Sequence, residues 1–525
     1  KDPALLDWKR GGRFELHVYP IPAHGSRTIK LAYTQVVAPR GPWRQYVYPL
    51  PHARDGSTVA DQMSIDVEVR GAAPGLVRTS GYDLVADPAR AAVEARTLHQ
   101  AAFVPRGDLV VDYRAADAAE LRAWTFAGGS AIRPDDGRAS KHGVGIDPAV
   151  VAAQRAEASD VRPTAVLALA PVLPRWREDK PRDYAIVIDA SQSMVGERYN
   201  RASELAVAMI GEMDRRDRVA VMTCDSECRG NGSLRVPSAQ AAIEVRTWLA
   251  SQTPAGASDV VESVRAGAAA MTSTDRERWV LYLGDGFAST GFRNTGDVEA
   301  AIAMTTAAGG IHVSTIGVGN DADDVVLGSI ARGGGGSFLA WRPGESVGTT
   351  AVAGLESTYG TALRDATVVL PAGLADVAPT VIPTIRAGDE VLIGARVTGD
   401  VTGDVIVRGT VGNQPFEQHY PLKLAVSSSS GNAFVPRLWA SLAIDQLERG
   451  GRGDDRAHIV ALSQGYGVLS RETSLLVLES AAMFDAYGID QPGPRATWTG
   501  EDKLDEVDST GSVAVDENKG KDAKK

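Results

Sequence analysis

Alternation of apolar and polar residues dominates the first hundred positions. In "RFELHVYPIP", Phe14, Leu16 and Val18 alternate with Arg13, Glu15 and His17. The same period recurs in "RTIKLAYTQ" through Ile29, Leu31 and Tyr33, and in "QMSIDVEVRG" through Met63, Ile65, Val67 and Val69. Period two with Pro and Gly punctuation predicts antiparallel strands with one solvated face from Arg13 to about Val111. Residues 115–160, rich in Ala, Gly, Asp and Arg, hold no sustained period and read as a connection, with partial helix or mobility left open.

The pattern changes at Asp183. Strand-like segments ("YAIVIDA", "RVAVMTCD", "RWVLYLGDG", "IHVSTIGVG", "SFLAW") alternate with helical stripes. One stripe runs over Ala202–Asp214 through Leu205, Ala206, Met209 and Met213, another over Val260–Met271 through Val264 and Ala268. Strand and helix in alternation predict right-handed crossovers and a doubly wound, mostly parallel sheet covered on both faces, to about Gly360. Strand signals return in "ATVVLPAG", "DEVLIGARVTG" and "GDVIVRGTV". A helix is predicted near Pro436–Glu448, then another helix and a short strand in "HIVALSQGYGVLSRETSLLVLES". From about Thr497 the tail is charged and nearly free of large apolar residues, which predicts disorder.

A length of 525 residues allows several cores. The formal net charge is -11, so no basic face is available for nucleic acid. The longest candidate for a membrane span, around Thr164–Leu173, is too short and carries proline. The sequence opens on Lys1, which reads either as a removed leader or as a start part-way through a domain. Cys224 and Cys228 sit in a predicted turn; their spacing suits a small disulfide or two buried thiols, and both stay open. Arg452-Gly453-Asp454 matches a tripeptide of adhesion ligands, but in a Gly-rich polar stretch it reads as a plain loop.

The first apolar run carries its chemistry at its exit. After Ala185–Ile188, Asp189, Ser191 and Ser193 place a carboxylate and two hydroxyls at alternate positions. In doubly wound sheets, ligands bind outside the carboxyl ends of the strands. Asp285 ends "WVLYLGDG", and Ser258 and Asp259 directly precede the helix at Val260. Three loops are expected to meet at this edge. Asp259 with Glu262 forms a capping box, which leaves Ser258 available for another role. An isolated D-x-S-x-S would read as a turn; the placing of Ser258 and Asp285 shifts the reading to a cation site. All donors are oxygens, which suits a hard divalent cation, Mg²⁺ or else Ca²⁺ or Mn²⁺, and disfavours zinc.

Together these residues resemble the metal-ion-dependent adhesion site of the von Willebrand factor A domain. The resemblance implies Ser191, Ser193 and Ser258 as direct ligands, with Asp189 and Asp285 in or just behind the coordination shell. Ser258 stands where that family usually has Thr, which keeps the hydroxyl but loses some rotamer restriction, so metal binding is expected to persist in a weaker form. The stretches "DPALLDWKRGGRFELHVYPIPAHGSRTIKLAYTQ" and "YVYPLPH" resemble the later part of a VIT domain, as in inter-alpha-trypsin inhibitor heavy chains. "VPRLWASLAIDQL" and "LSQGYGVLSRETSLLVLES" resemble the region those proteins carry after the A domain. The Ala-, Arg- and Gly-rich composition is similar to a bacterial member.

The resulting expectation is a multidomain α/β plus β protein. It assigns 1–55 to the end of a VIT-like domain, 56–114 and 361–426 to a β-sandwich, and 115–181 to a connection with a lead-in strand. Residues 182–360 are assigned to the A domain, 432–490 to a helical and strand region, and 497–525 to a disordered tail. The resemblance implies a non-enzymatic adhesion or scaffold protein, extracellular or of the cell envelope, with the cytoplasm left open. Its ion would bind a carboxylate of a protein or polysaccharide partner. The tetrapeptide Asp-Pro-His-Phe, at which heavy chains are cleaved before transfer to polysaccharide, is absent from the sequence. One alternative is a Mg²⁺-dependent hydrolase with Asp189 as nucleophile or Asp285 as base, but no Asp-x-Asp motif follows the first strand. Another is an A-domain subunit of an intracellular ATP-driven complex, although no Walker-type loop occurs.

Overall fold

The computed structural model describes residues 4–8, 14–17, 33, 35–40, 43–48, 50, 59–116, 119–132, 147–174, 180–273, 275–307, 310–319, 321–341, 345–412, 414–450, 455–473, 475–477 and 512–513. Most of the strand expected around Ile29, the Arg452–Asp454 tripeptide and the tail expected to be disordered, save 512–513, lie outside the described residues.

The apolar runs of the middle third form the sheet that their pattern demands. In chain order the elements are β1 (Arg182–Asp189), α1 (Glu197–Glu212), β2 (Arg218–Cys224), β3 (Cys228–Gly230), α2 (Ala239–Ala250) and α3 (Val260–Ala269). There follow β4 (Glu277–Gly284), α4 (Thr295–Ala307), β5 (Ile311–Val318), α5 (Asp324–Gly333), β6 (Gly335–Trp341) and α6 (Val347–Tyr359). The strand order is β3-β2-β1-β4-β5-β6, parallel throughout except for the short edge strand β3.

Every residue of β1 is buried because it lies mid-sheet with helices on both faces. Tyr184, Ile186 and Ile188 pack on Leu205 and Met209 of α1, Leu249 of α2 and Leu355 of α6. Ala185 and Val187 face the other way, onto Val264 of α3, Ile302 of α4 and Leu327 of α5. Each such Leu, Ile or Val contributes about 2 kcal/mol relative to exposure, which makes the strand ends a rigid frame. The chain leaves β1 for β2 on one side and later returns to β4 on the other. The strand order therefore reverses beside β1, and a crevice opens there between diverging loops.

The flanking β regions pair differently from the expected grouping of 56–114 with 361–426. One sheet orders Leu121–Phe126, Thr164–Leu169, Val391–Val397 and Leu374–Ala378. It faces a second sheet that contains Ala362–Val369, Thr402–Val411 and Gln414–Lys423 across a core including Leu121, Leu167, Ile393, Val407 and Tyr420. The reason is the lead-in strand: Thr164–Leu169 is buried at every position, so it needs neighbours on both edges and cover on both faces. Its outer face is covered by Val435–Gly450 and Arg456–Tyr466, through Trp439, Leu462 and Tyr466 on Val166 and Ala168. Part of the expected connection, 115–160, is thus a strand and a helix (Pro148–Ser159).

Residues 59–116 instead pair with 39–48 and close a separate small core around Val77, Phe103, Leu109 and Val111. Ala4–Trp8 pairs with Phe14–His17 and with Leu475–Val477 from the far end of the chain. Among the described residues no helix is long and apolar enough to cross a membrane.

Candidate metal centre

Asp189 ends β1, and Gly284 ends the neighbouring strand β4. A Cβ on Gly284 would stand 2.8 Å from the Asp189 Cβ and 2.9 Å from a Tyr282 ring carbon, so only glycine lets the two strand exits lie this close. Gly286 turns the chain after Asp285 with φ at +74°, a conformation that disfavours other residues. Asp285 is thereby directed back toward the exit of β1, where Ser193 hydrogen-bonds to it.

The five residues expected at this edge are brought together. Asp189 Oδ1 accepts from the Ser191 backbone N–H at 2.8 Å. Its Oδ2 accepts from the Ser258 hydroxyl at 2.9 Å and from the Tyr282 hydroxyl at 2.8 Å. The hydroxyls of Ser191 and Ser193 lie 3.1 Å apart. Asp285 Oδ1 accepts from the Phe287 N–H at 3.1 Å, and Oδ2 from the Arg198 guanidinium at 3.0 Å. Asp189, Ser191, Ser258 and Asp285 are all buried. Unbonded, two such carboxylates would cost several kcal/mol each; the donors around them are what make their burial tolerable. Burial pushes the Asp285 carboxyl up, the Ser193 hydrogen bond offsets part of that rise, and the charge of Asp189 adds to it.

Backbone hydrogen bonds tie the three loops together. The Ala255 N–H donates to the Ala190 carbonyl at 2.8 Å and the Gln192 N–H to the Gly256 carbonyl at 3.1 Å, joining the β1 exit to the Ser258 loop. The Ser258 N–H donates to Ser289 Oγ at 2.8 Å, and the Ser258 carbonyl accepts from the N–H groups of Ser289 and Thr290 at 3.0 and 3.1 Å. Asp259 caps α3, accepting from the Glu262 N–H at 3.0 Å, which leaves Ser258 pointing into the site. A fourth segment buttresses the edge. Cys224 and Cys228 form a disulfide, and Ser226 between them accepts from the Ala257 N–H at 3.2 Å.

Among the described residues no three or more His, Cys, Asp and Glu cluster as a metal site. A cation at the β1 exit would therefore rest on two carboxylates completed by serine hydroxyls and water. This all-oxygen donor set fits Mg²⁺ or a similar hard ion and offers nothing to zinc. Arg198, Tyr282 and Ser289 were not anticipated. Tyr282 was the readable one, because a buried tyrosine hydroxyl in a mid-sheet strand needs a partner. An arginine in the first turn of a helix carries no such signal.

Residues 183–338 match the family model for the von Willebrand factor type A domain. The chain thus contains such a domain, and its fold is that of the family with several antiparallel sheets added. No curated protein matches the chain. Among solved structures, a von Willebrand factor type A protein from Catenulispora acidiphila is similar at 15% identity and a TM-score of 0.39, over 58% of this chain and 83% of that one. The ArnB paralog VWA2 from Sulfolobus acidocaldarius is similar at 15% identity and 0.35, over 67% of this chain and 99% of that one. BatB from Bacteroides thetaiotaomicron is similar at 17% identity and 0.28, over 33% and 97%.

Proposed function

We propose that this chain is a binding scaffold that holds a divalent cation at the exit of β1 and uses it to take up an acidic group of a partner. One observation carries the reading. Five oxygen-bearing side chains from three separate loops converge where the strand order reverses, with Asp189 bonded to the hydroxyl of Ser258, 69 residues away. In this reading Ser191, Ser193 and Ser258 ligate the ion, and Asp189 and Asp285 act in or just behind its shell. The ion is Mg²⁺, or Ca²⁺ or Mn²⁺, which share the preference for oxygen. Hydroxyls do not cancel the ion's charge, so its outward side attracts an anionic oxygen from a protein or polysaccharide partner.

The reading is one of recognition, not catalysis. The Ser191 hydroxyl is hydrogen-bonded to Ser193 and not to a base, and both Asp189 oxygens already accept hydrogen bonds. We place the protein outside the cell or in its envelope, where adhesion through such a site operates. For the flanking regions we retain the VIT-like and heavy-chain-like reading. Its support is the resemblance of the segments quoted above, since the family match spans 183–338 alone.

The test is capture from native envelope extract on the immobilised chain, in Mg²⁺ and then in chelator. A partner retained in Mg²⁺, released by chelator and not captured by Asp189→Ala supports the proposal. Capture indifferent to both removes it.

A further inference from the structure

Arg198, the second residue of α1, reaches across the edge of the metal centre. Its guanidinium pairs with Asp285 Oδ2 at 3.0 Å and with Asp321 Oδ1 at 2.6 Å, and donates to the Ser193 carbonyl at 3.4 Å. One side chain thus joins the loops after β1, β4 and β5. Residue 319 beside it is glycine, and a Cβ there would stand 3.2 Å from Arg198 Nε, a tight contact. The Asp285 side chain has no solvent exposure, whereas Arg198 and Asp321 are about one-third exposed, at 28% and 31%. The inner contact is the dry one, where charge is least screened.

We infer that Arg198 is a positioning residue that holds down the ion affinity of the centre, an inference that rests on the metal-binding reading. A guanidinium remains charged at any physiological pH. Paired with Asp285, it cancels one of the two carboxylate charges an incoming ion would meet, and it repels the ion itself. The same pairing fixes the Asp285 rotamer, with Oδ1 held by the Phe287 N–H and Oδ2 by the guanidinium. An ion bound in this centre keeps more of its charge for an outside ligand. Without Arg198 the two aspartates would bind it more tightly and leave it less electrophilic.

The experiment is calorimetric titration of the whole chain with Mn²⁺, with circular dichroism confirming the fold of each variant. Arg198→Gln and Arg198→Met both remove the charge, so either suffices if the other fails to fold. Loss of one like charge at this range predicts roughly a tenfold gain in Mn²⁺ affinity. Arg198→Lys, which restores charge without the forked geometry, should give less than about a third of that gain. Affinity unchanged or weakened in the folded charge-removing variants overturns the inference and leaves the metal reading standing. If neither the wild type nor these variants take up Mn²⁺, both fall together.

Discussion

The hydroxyl of Tyr282 donates to the carboxylate of Asp189 at 2.8 Å, from one strand to its neighbour inside the sheet. Both groups are buried, so the tyrosine supplies locally what water would otherwise supply to a carboxylate. Burial and the charge of Asp189 together hold the Tyr282 phenol far above its ordinary range, so it stays a donor.

Tyr282→Phe should therefore fold but lose about 2 kcal/mol in chelator, the usual worth of a hydrogen bond to a charged group. In Mg²⁺ the loss should shrink, because on the proposed reading a cation beside Asp189 would replace the missing donor. Urea unfolding of both proteins in both conditions checks this, and an equal loss with and without Mg²⁺ would separate Tyr282 from the ion site.

The Cys224–Cys228 disulfide closes a short loop whose Ser226 braces the segment carrying Ser258. For a loop this small, chain entropy gives about 2 kcal/mol of stabilisation. Reduction, or replacement of both cysteines by Ser, should lower the midpoint of urea unfolding accordingly. Mg²⁺ affinity should fall as the brace loosens. Unchanged unfolding in reductant would show that the bridge does not constrain the native edge.

His312 on β5 packs on Trp279 of β4, with ring centroids 4.9 Å apart. Burial pulls its pKa down to about 3, and Arg364, Arg386 and Arg278 act in the same direction, while a hydrogen bond with the Gly334 backbone opposes them. The folded value lies below the unfolded 6.5, so the unfolded chain takes the proton first on acidification. Stability is then full above about pH 6.5 and declines as pH falls toward 3. Midway between the two values the slope should approach about 1.4 kcal/mol per pH unit, because the unfolded chain there holds one proton that the folded chain lacks. His312→Phe keeps the ring and should flatten this slope between about pH 6 and 4. Parallel pH profiles for the two proteins would contradict the assignment.

The parts of this molecule that were legible in the sequence share one property: their pattern is local. β1, β2 and β4 carry uninterrupted apolar stretches, because a mid-sheet parallel strand is buried on both faces, and β5 stood out by its place in the alternation of strand and helix. Asp189, Ser191 and Ser193 stand in one short stretch, and Ser258 and Asp285 each mark the end of a run or the start of a helix. What the sequence concealed depends on distant pairing. Thr164–Leu169 bonds to Leu121–Phe126 on one side and Val391–Val397 on the other, more than 200 residues apart in the second case. No local periodicity records such a choice. Leu121–Phe126 looked like connection because six residues flanked by Ala, Gly and Asp give too short a window for period two. Arg198 resembled any solvated arginine at a helix start, and its contacts with Asp285 and Asp321 lie 87 and 123 residues away.

The most direct test of the central claim is calorimetric titration of the intact chain with Mg²⁺, beside Asp189→Ala and Ser258→Ala. The account predicts a single ion bound by the wild type, binding abolished in Asp189→Ala and weakened in Ser258→Ala, with all three folded by circular dichroism. Equal Mg²⁺ binding by wild type and Asp189→Ala, or none by the folded wild type, would contradict it.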